Sequence, residues 1–280
     1  MAVSNKVKAA QFQALHKGPE LLVLPNAWDI TSALLLERAG FSAVATSSAG
    51  IGYTFGYPVG QVMPREEMLS VIRRMADCLS VPLSADMEAG YGDTPEQVAE
   101  TTRLTGEAGA VGINIEDRTY DPDEPLIGIE EAAERIRAAR EAANKIGMIV
   151  NARTDVYWVG GTGEARFAEA VRRANAFWEA GADCLFIPGV KDPELISRLA
   201  AEISGPLNIL AGIGSPDTAA LAALGVKRIT FGATMARAAY ATLEQAATEL
   251  ATSGSYGFMS SGTAHADKNR LLQEQPTTIR

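Results

Sequence analysis

The sequence predicts an α/β protein folded as a single (β/α)8 TIM barrel. Three observations carry this expectation. Eight short runs have strand character, a helical pattern follows each of them, and a glycine ends the helix before every even-numbered strand. The runs are mostly continuous rather than alternating in apolar character, which marks strands buried on both faces, as in a parallel sheet. Eight strand–helix pairs argue for closure into a barrel, with an open doubly wound sheet as the alternative. A chain of 280 residues is an ordinary length for one such domain.

The elements follow in order along the chain. Residues 21–24 form the first strand and 31–39 the first barrel helix. Strand 43–46 is followed by helix 65–78, strand 82–86 by helix 95–108, and strand 111–115 by helix 129–143. Strand 148–151 leads to helix 164–180, strand 184–187 to helix 193–203, strand 207–210 to helix 218–223, and strand 228–231 to helix 233–252. Thr94 before Pro95, with Gln97 three residues after the threonine, reads as a capped helix start. Asp192-Pro193 and Ser215-Pro216 have the same cap-then-proline form. Gly40, Gly109, Gly181 and Gly225 stand where a helix ends and a left-handed residue is needed. The barrel domain is expected over residues 1–253. The polar tail, 254–280, is expected to be a short helix near 268–273 or disordered.

Composition narrows the function. The apolar fraction of 47% supports a sizeable core, and the net charge of −9 argues against a nucleic-acid footprint, which needs a basic face. No apolar stretch approaches membrane-spanning length, and residues 1–16 lack the apolar core of a secretory signal. Two isolated cysteines, Cys78 and Cys184, read as reduced core residues of a cytoplasmic protein. An acidic chain that binds an anionic substrate must hold it with local cations or a metal.

In a barrel, function gathers where the strands end. Here the second strand runs into Thr46-Ser47-Ser48-Ala49-Gly50, the third ends at Asp86 and Glu88, the fourth at Glu116-Asp117, and the fifth at Arg153. Strand alternation puts Asp86 and Glu88 on one side. Three carboxylates converging on one mouth repel each other unless a hard divalent cation lies among them, and oxygen ligands of this kind suit Mg2+. A rim of surface salt bridges is the plainer reading. Residues 47–50 read as a small-residue turn able to offer backbone N–H groups to an anion. The turns at 212–215 and 231–234 stand where barrels often take phosphate. Trp28 and Trp158 sit just past strand ends, as pocket wall or as core. The only histidines, His16 and His265, lie away from every strand end, which argues against a histidine acid–base mechanism.

Leu24-Pro25-Asn26-Ala27-Trp28-Asp29, the run from Gly40-Phe41 through Ser47, Asp86-Met87-Glu88-Ala89-Gly90-Tyr91-Gly92, Ile113-Asn114-Ile115-Glu116-Asp117 and Ala152-Arg153-Thr154-Asp155 resemble the isocitrate lyase/phosphoenolpyruvate mutase superfamily. The resemblance extends over residues 8 to 250 or so. It implies a barrel whose last helix is exchanged between subunits of a dimer-of-dimers homotetramer. It also implies Mg2+, with Mn2+ as a substitute, and a 2-oxo acid or its enolate held by that metal. By position, Asp86 is then the direct metal ligand, and Glu88 and Glu116 hold metal-bound waters. Ser47, Ser48 and Ala49 hold the substrate carboxylate. Arg153 steadies the substrate oxygen and the enolate charge.

Two departures from the family pattern matter. The lyases carry a Lys-x-Cys-Gly-His loop whose cysteine serves as acid; residues 118–126 here contain no cysteine, histidine or lysine. The phosphonate-processing members carry Glu-Asp-Lys, a later loop asparagine, and an aspartate after a Gly-x-Pro turn. This chain has Arg118 for the lysine, no matching asparagine, and Val59 for the aspartate. The expectation is therefore a Mg2+-dependent lyase or decarboxylase acting on a 2-oxo-acid-type substrate through an enolate. Oxaloacetate decarboxylation fits best, with cleavage of a related dicarboxylate or tricarboxylate close behind. The alternatives are phosphorus–carbon chemistry and a catalytically silent barrel that binds a 2-oxo acid.

Overall fold

The computed structural model describes residues 3–159 and 162–273. Its sheet has nine short strands, all parallel: β1 (Leu22–Val23), β2 (Asn26–Ala27), β3 (Val44–Thr46), β4 (Leu83–Asp86), β5 (Gly112–Glu116), β6 (Ile149–Arg153), β7 (Cys184–Phe186), β8 (Leu207–Leu210) and β9 (Arg228–Thr230). The first two are halves of one extended run. Between them lies Pro25, which has no N–H to give a ladder. The first half pairs with β9 and the second with β3, so the two ends of the sheet meet in a single stretch of chain. The sheet thus curls into a TIM-like barrel, and its first strand reaches Ala27, three residues past the expected end. Asn26 fastens the closure. Its amide donates to Thr46 O at 2.8 Å, and its Oδ1 accepts from Phe231 N at 2.7 Å and Gly232 N at 3.0 Å.

The helices are α1 (Asn5–Lys17), α2 (Ile30–Arg38), α3 (Ser48–Phe55), α4 (Arg65–Cys78), α5 (Pro95–Glu107), α6 (Ile129–Asn144), α7 (Val156–Val159), α8 (Gly163–Glu179), α9 (Pro193–Glu202), α10 (Thr218–Ala223), α11 (Thr234–Ser253) and α12 (His265–Gln273). The expected caps are largely in place. Thr94 and Gln97 form a reciprocal capping box, and Asp192 Oδ1 accepts from Leu195 N at 2.8 Å. The expected cap at Ser215 is not one. Asp217 caps α10, and Ser215 Oγ instead accepts from Gly212 N. The four punctuating glycines have φ of 92–102°, the left-handed backbone anticipated for them.

Helix α1 lies against the amino ends of the strands, where Phe12 packs fully buried among Leu22, Ala43, Val111 and Ile149. Above it the barrel interior is polar, with Ser84, Asn114, Asn151, Asn208 and Arg228 all buried. Asn151 Nδ2 donates to Asn114 Oδ1 at 2.7 Å. Cys78 and Cys184 are buried without a disulfide. Among the described residues, no helix is long and apolar enough to cross a membrane.

The described part of the tail takes the helical form, one of the two expected, with α12 beginning three residues before the expected 268. A 3-10 turn, Gly257–Ser261, precedes α12, whose Leu271 is buried against Leu34 and Cys78. Residues 274–280 lie outside the described residues. Helix α11 is the outlier of the fold, because Ala236 is the buried residue among its twenty.

Candidate active site

Residues 47–50 are not the loop expected of them. They form the first turn of α3, with Ser47 as its N-cap, its Oγ accepting from Gly50 N at 3.1 Å. A helix N-terminus offers unpaired N–H groups and partial positive charge, so the donors expected from a turn are here those of a helix start. Ser47, Ser48 and Ala49 line a cavity of about 270 Å3 together with Asp86 and Arg153. Trp158 is also part of this wall, whereas Trp28 packs against the core.

Asp86 ends β4 and points into the cavity wall. Its Oδ2 accepts from Ser48 Oγ at 2.9 Å, and its own N–H is held by Thr46 Oγ1 at 2.9 Å. Its Oδ1 is buried without a hydrogen-bond partner. A buried carboxylate oxygen left unpaired is costly, which makes this atom a candidate donor to a cation. The contact with Ser48 is a link that strand-by-strand reading misses.

Glu88 and Glu116 are not on the cavity wall but buried behind it. Strand alternation does not place Glu88, because β4 has ended and its φ is 48°. Its Oε2 is gripped by two backbone donors, Gly60 N at 2.9 Å and Gln61 N at 2.7 Å. Burial raises the Glu88 pKa; the Gln61 and Gly60 amides oppose the shift, and the Asp86 charge adds to it. Glu116 Oε2 lies 2.7 Å from Arg153 Nη1, an ion pair by distance without a well-directed hydrogen bond. Its Oε1 accepts from the Tyr120 hydroxyl at 2.9 Å. Burial pushes the Glu116 carboxyl well up, against the pull of the Arg153 guanidinium.

Arg153 is fixed from three sides. Asp155 takes its Nε at 2.6 Å and its Nη2 at 2.9 Å, a bidentate carboxylate–guanidinium pair. Its plane lies against Trp158, 4.7 Å from the ring centre. Asp155 is itself held from behind, its N–H donating to Asp117 Oδ1 at 3.0 Å. Asp117 Oδ2 takes Arg173 Nη1 of α8 at 3.0 Å, and the same nitrogen donates to Ile127 O at 2.8 Å. Burial lifts the Asp117 carboxyl to about 6 against these partners. One arginine thus anchors both the support of Arg153 and the end of the 117–127 loop.

Among the non-glycine residues the left-handed backbone is found at Gln61, Glu88, Tyr91 and Tyr120, all in the segments that enclose the site. Such conformations cost about 1–3 kcal/mol each for bulky residues and gather at functional sites. They interlock here: Gln61 holds Glu88, Tyr91 N donates to Gln61 Oε1, and the Tyr120 ring lies over Gly60, where a Cβ would stand 3.2 Å from it.

The donor set fits Mg2+ in one form. No three His, Cys, Asp or Glu side chains among the described residues are grouped to hold an ion directly. Asp86 has a buried oxygen to give, and the Glu88 and Glu116 carboxyls stand behind it within electrostatic reach. Mg2+ keeps several of its waters and takes one or two carboxylates, so a single direct ligand with water-mediated neighbours suits these residues.

The family described as phosphoenolpyruvate phosphomutase matches residues 12–251. The chain belongs to the phosphoenolpyruvate phosphomutase family. Within the wider isocitrate lyase/phosphoenolpyruvate mutase superfamily, it is 35% identical over 221 residues to an uncharacterized protein of Mycobacterium tuberculosis, covering 79% of this chain and 81% of that one. A crystal structure from Burkholderia cenocepacia J2315, provisionally assigned as a lyase/mutase, superposes with a TM-score of 0.91 at 38% identity, covering 96% of this chain and 97% of the other. A phosphonopyruvate hydrolase in complex with oxalate and Mg2+ superposes with a TM-score of 0.85 at 27% identity, covering 95% of each chain. Other similar proteins are named 2-methylisocitrate lyase, phosphoenolpyruvate phosphomutase, oxaloacetate acetylhydrolase and 2,3-dimethylmalate lyase. The similar proteins that carry an activity in their names are thus lyases, mutases and hydrolases.

Several cavity residues, Tyr53, Asn114 and Leu210 among them, were not singled out as site residues by sequence reading. Phe186, Thr230 and Arg237 look like ordinary strand and helix residues until the barrel curls, and Asn26 belongs to the resemblance without a role. The 231–234 turn does reach the cavity, whereas Gly212 and Ile213 line an adjoining compartment.

Proposed function

We propose that the protein is a Mg2+-dependent carbon–carbon lyase that cleaves a 2-oxo-acid-type substrate through an enolate, with oxaloacetate decarboxylation as the simplest case. The observation that carries this reading is the pairing, in one cavity, of the locked Arg153 guanidinium with the unpartnered Asp86 Oδ1. Asp86 would hold Mg2+ directly and Glu88 and Glu116 through water, and the ion would supply Lewis-acid polarisation of the substrate oxygens. The protein does the rest. The first turn of α3 receives the substrate carboxylate. Arg153, oriented by Asp155, aims positive charge at the oxygen where the enolate develops. In oxaloacetate the bond from C3 to its carboxylate breaks, CO2 departs, and the electron pair passes onto the 2-oxo oxygen. Protonation at C3 then gives pyruvate.

No cysteine or histidine lines the cavity among the described residues, which favours a departing group that needs no acid. The proton for C3 comes from water or from Tyr120. Burial and the nearby Glu116 charge raise the Tyr120 pKa, so its hydroxyl stays protonated at the cavity wall.

A second reading, phosphorus–carbon chemistry, is favoured by the family itself. Arg118 and Val59, at positions where those enzymes are expected to carry lysine and aspartate, count against it. The deciding experiment is a substrate panel of oxaloacetate, methylisocitrate, 2-alkylmalates and phosphonopyruvate, with pyruvate or 2-oxo-acid release as the readout. Cleavage of a carbon–carbon substrate supports the proposal. Turnover of phosphonopyruvate alone transfers the assignment to the second reading, and tight binding without turnover indicates a silent barrel.

The family resemblance also supports a homotetramer in which α11 is exchanged between subunits. Helix α11 leaves Leu243 and Leu250, seven residues apart on one face, 64% and 49% exposed. Such a face suits a second copy of the chain. The buried, disulfide-free cysteines suit a reducing cytoplasmic setting.

A further inference from the structure

We infer that Arg228, enclosed in the barrel beneath the cavity, sets the charge balance of the site from a distance: its unmatched positive charge favours the anionic substrate and the developing enolate, and it holds down the affinity for Mg2+. The inference rests on the metal-assisted enolate reading above and adds to it a residue that touches neither ligand. Arg228 is 1% exposed. The other buried arginines, Arg135, Arg153 and Arg173, each pair with a carboxylate. Arg228 forms no ion pair among the described residues. Its Nη1 lies 3.3 Å from His16 Nε2, its Nη2 lies 3.5 Å from both Ser84 Oγ and Asn114 Oδ1, and its Nε has no hydrogen-bond partner. All three contacts are uncharged, since burial keeps His16 neutral. Burial also lowers the Arg228 pKa to about 10, against the opposing pull of Cys184 and Asp86, which leaves the guanidinium charged at neutral pH. An unpaired buried charge is costly, and an apolar side chain of similar length would fill the same space without that cost. Packing alone therefore gives no reason for a charge here.

The strands direct that charge at the site. Arg228 reaches from β9 across the barrel to β4 and β5. Its contacts there, Ser84 and Asn114, stand two residues before Asp86 and Glu116 on the same strands. Strand alternation puts each pair on one side, about 7 Å apart along the strand. The guanidinium thus lies one layer beneath the carboxyls of the site. In the layer above, Arg153 is already matched by Glu116 and Asp155. In an interior of effective dielectric about 20, a full charge about 7–10 Å away shifts the binding constant of an ion by about tenfold or more. The shift has opposite signs for a cation and for an anion, and the anion it favours carries the charge that develops in the transition state.

The test is calorimetric titration of the whole protein, first with Mg2+ alone and then with oxalate, a dianion shaped like the pyruvate enolate, in saturating Mg2+. Wild type is compared with Arg228→Met, which keeps the length and removes the charge, and with Arg228→Lys, which keeps the charge. The expected result in Arg228→Met is a Mg2+ Kd tightened by about tenfold and an oxalate Kd weakened by about tenfold, each equivalent to about 1.4 kcal/mol, with Arg228→Lys close to wild type. If Arg228→Met does not fold, Ser84→Asp, which sets a carboxylate against Nη2, is read against the uncharged Ser84→Asn, and the same opposed shifts are expected. Damage to the fold weakens both ligands together, so shifts of one direction, or none, in the folded variant overturn the inference. Failure of wild type to bind Mg2+ and oxalate overturns instead the functional reading on which it stands.

Discussion

At the scale of single residues, Arg153 has two jobs that separate experimentally. In the proposed reaction it stabilises developing charge, and in the fold it pairs with Glu116 and Asp155, which are buried beside it. Arg153→Ala leaves those carboxylates unpaired, which costs about 3–5 kcal/mol in buried pairs, so lost activity in that variant mixes chemistry with unfolding. Arg153→Lys keeps the charge and loses the fork. We expect kcat to fall by about 100-fold, in line with loss of one oriented donor to an oxyanion, with a melting temperature close to wild type. Steady-state kinetics and thermal unfolding of this variant check it. At the opposite mouth, His16 is held neutral. Its Nδ1 is bonded to Phe12 O at 2.9 Å, its Nε2 lies 3.3 Å from Arg228 Nη1, and burial followed by the Arg228 charge lowers its pKa to about 4. The folded-state value lies below the ordinary 6.5, so this contribution to stability is fully present above pH 6.5. It is lost as pH falls from 6.5 toward 4, by up to about 3 kcal/mol. Denaturant unfolding across pH 4–7 shows this slope in wild type, and His16→Gln, which keeps an acceptor for Arg228, flattens it.

At the scale of elements, the 117–127 loop and α8 act together through Arg173. That side chain binds Asp117, Ile127 O and Glu169, and Asp117 in turn holds Asp155. Arg173→Met is expected to lower stability by about 3–5 kcal/mol through the stranded Asp117 and to reduce kcat, although Arg173 itself does not line the cavity. Unchanged kcat in a folded Arg173→Met protein removes the positioning role. Much at this scale was legible in the sequence, because caps and helix ends are local chemistry. Thr94–Gln97, Asp192 and the four helix-ending glycines required only neighbours along the chain. What stayed hidden depends on distant partners. The Glu88 clamp comes from residues 27 and 28 positions away, and a left-handed Glu88 defeats strand alternation. Asn26 joins Phe231 across 205 residues, a contact that exists only once the barrel has closed.

At the scale of the whole molecule, the repeat of strand and helix dictated the architecture, and Ser47, Ser48, Ala49, Asp86 and Arg153 line one cavity at the strand ends. Glu88 and Glu116 reached the same region but lie behind its wall. The polar interior beneath them was not anticipated from strands that read as apolar, since single residues such as Ser84, Asn114 and Asn208 point inward while their neighbours face the helices. Arg237 lines the cavity from α11, the helix proposed to be exchanged between subunits, so on that proposal site and assembly share one helix. Sedimentation of wild type is expected to show a tetramer, and Leu243→Arg on the exposed face of α11 to shift it toward smaller species. A monomeric wild type contradicts the exchanged-helix assembly.

The most direct test of the central claim is pyruvate release from oxaloacetate above the metal-only background, in Mg2+, in chelator, and after Mg2+ is restored, for wild type and Asp86→Asn. The account predicts turnover that chelator abolishes and Mg2+ restores, and none from a folded Asp86→Asn protein. Oxaloacetate cleavage that persists in chelator, or survives Asp86→Asn unchanged, would contradict it.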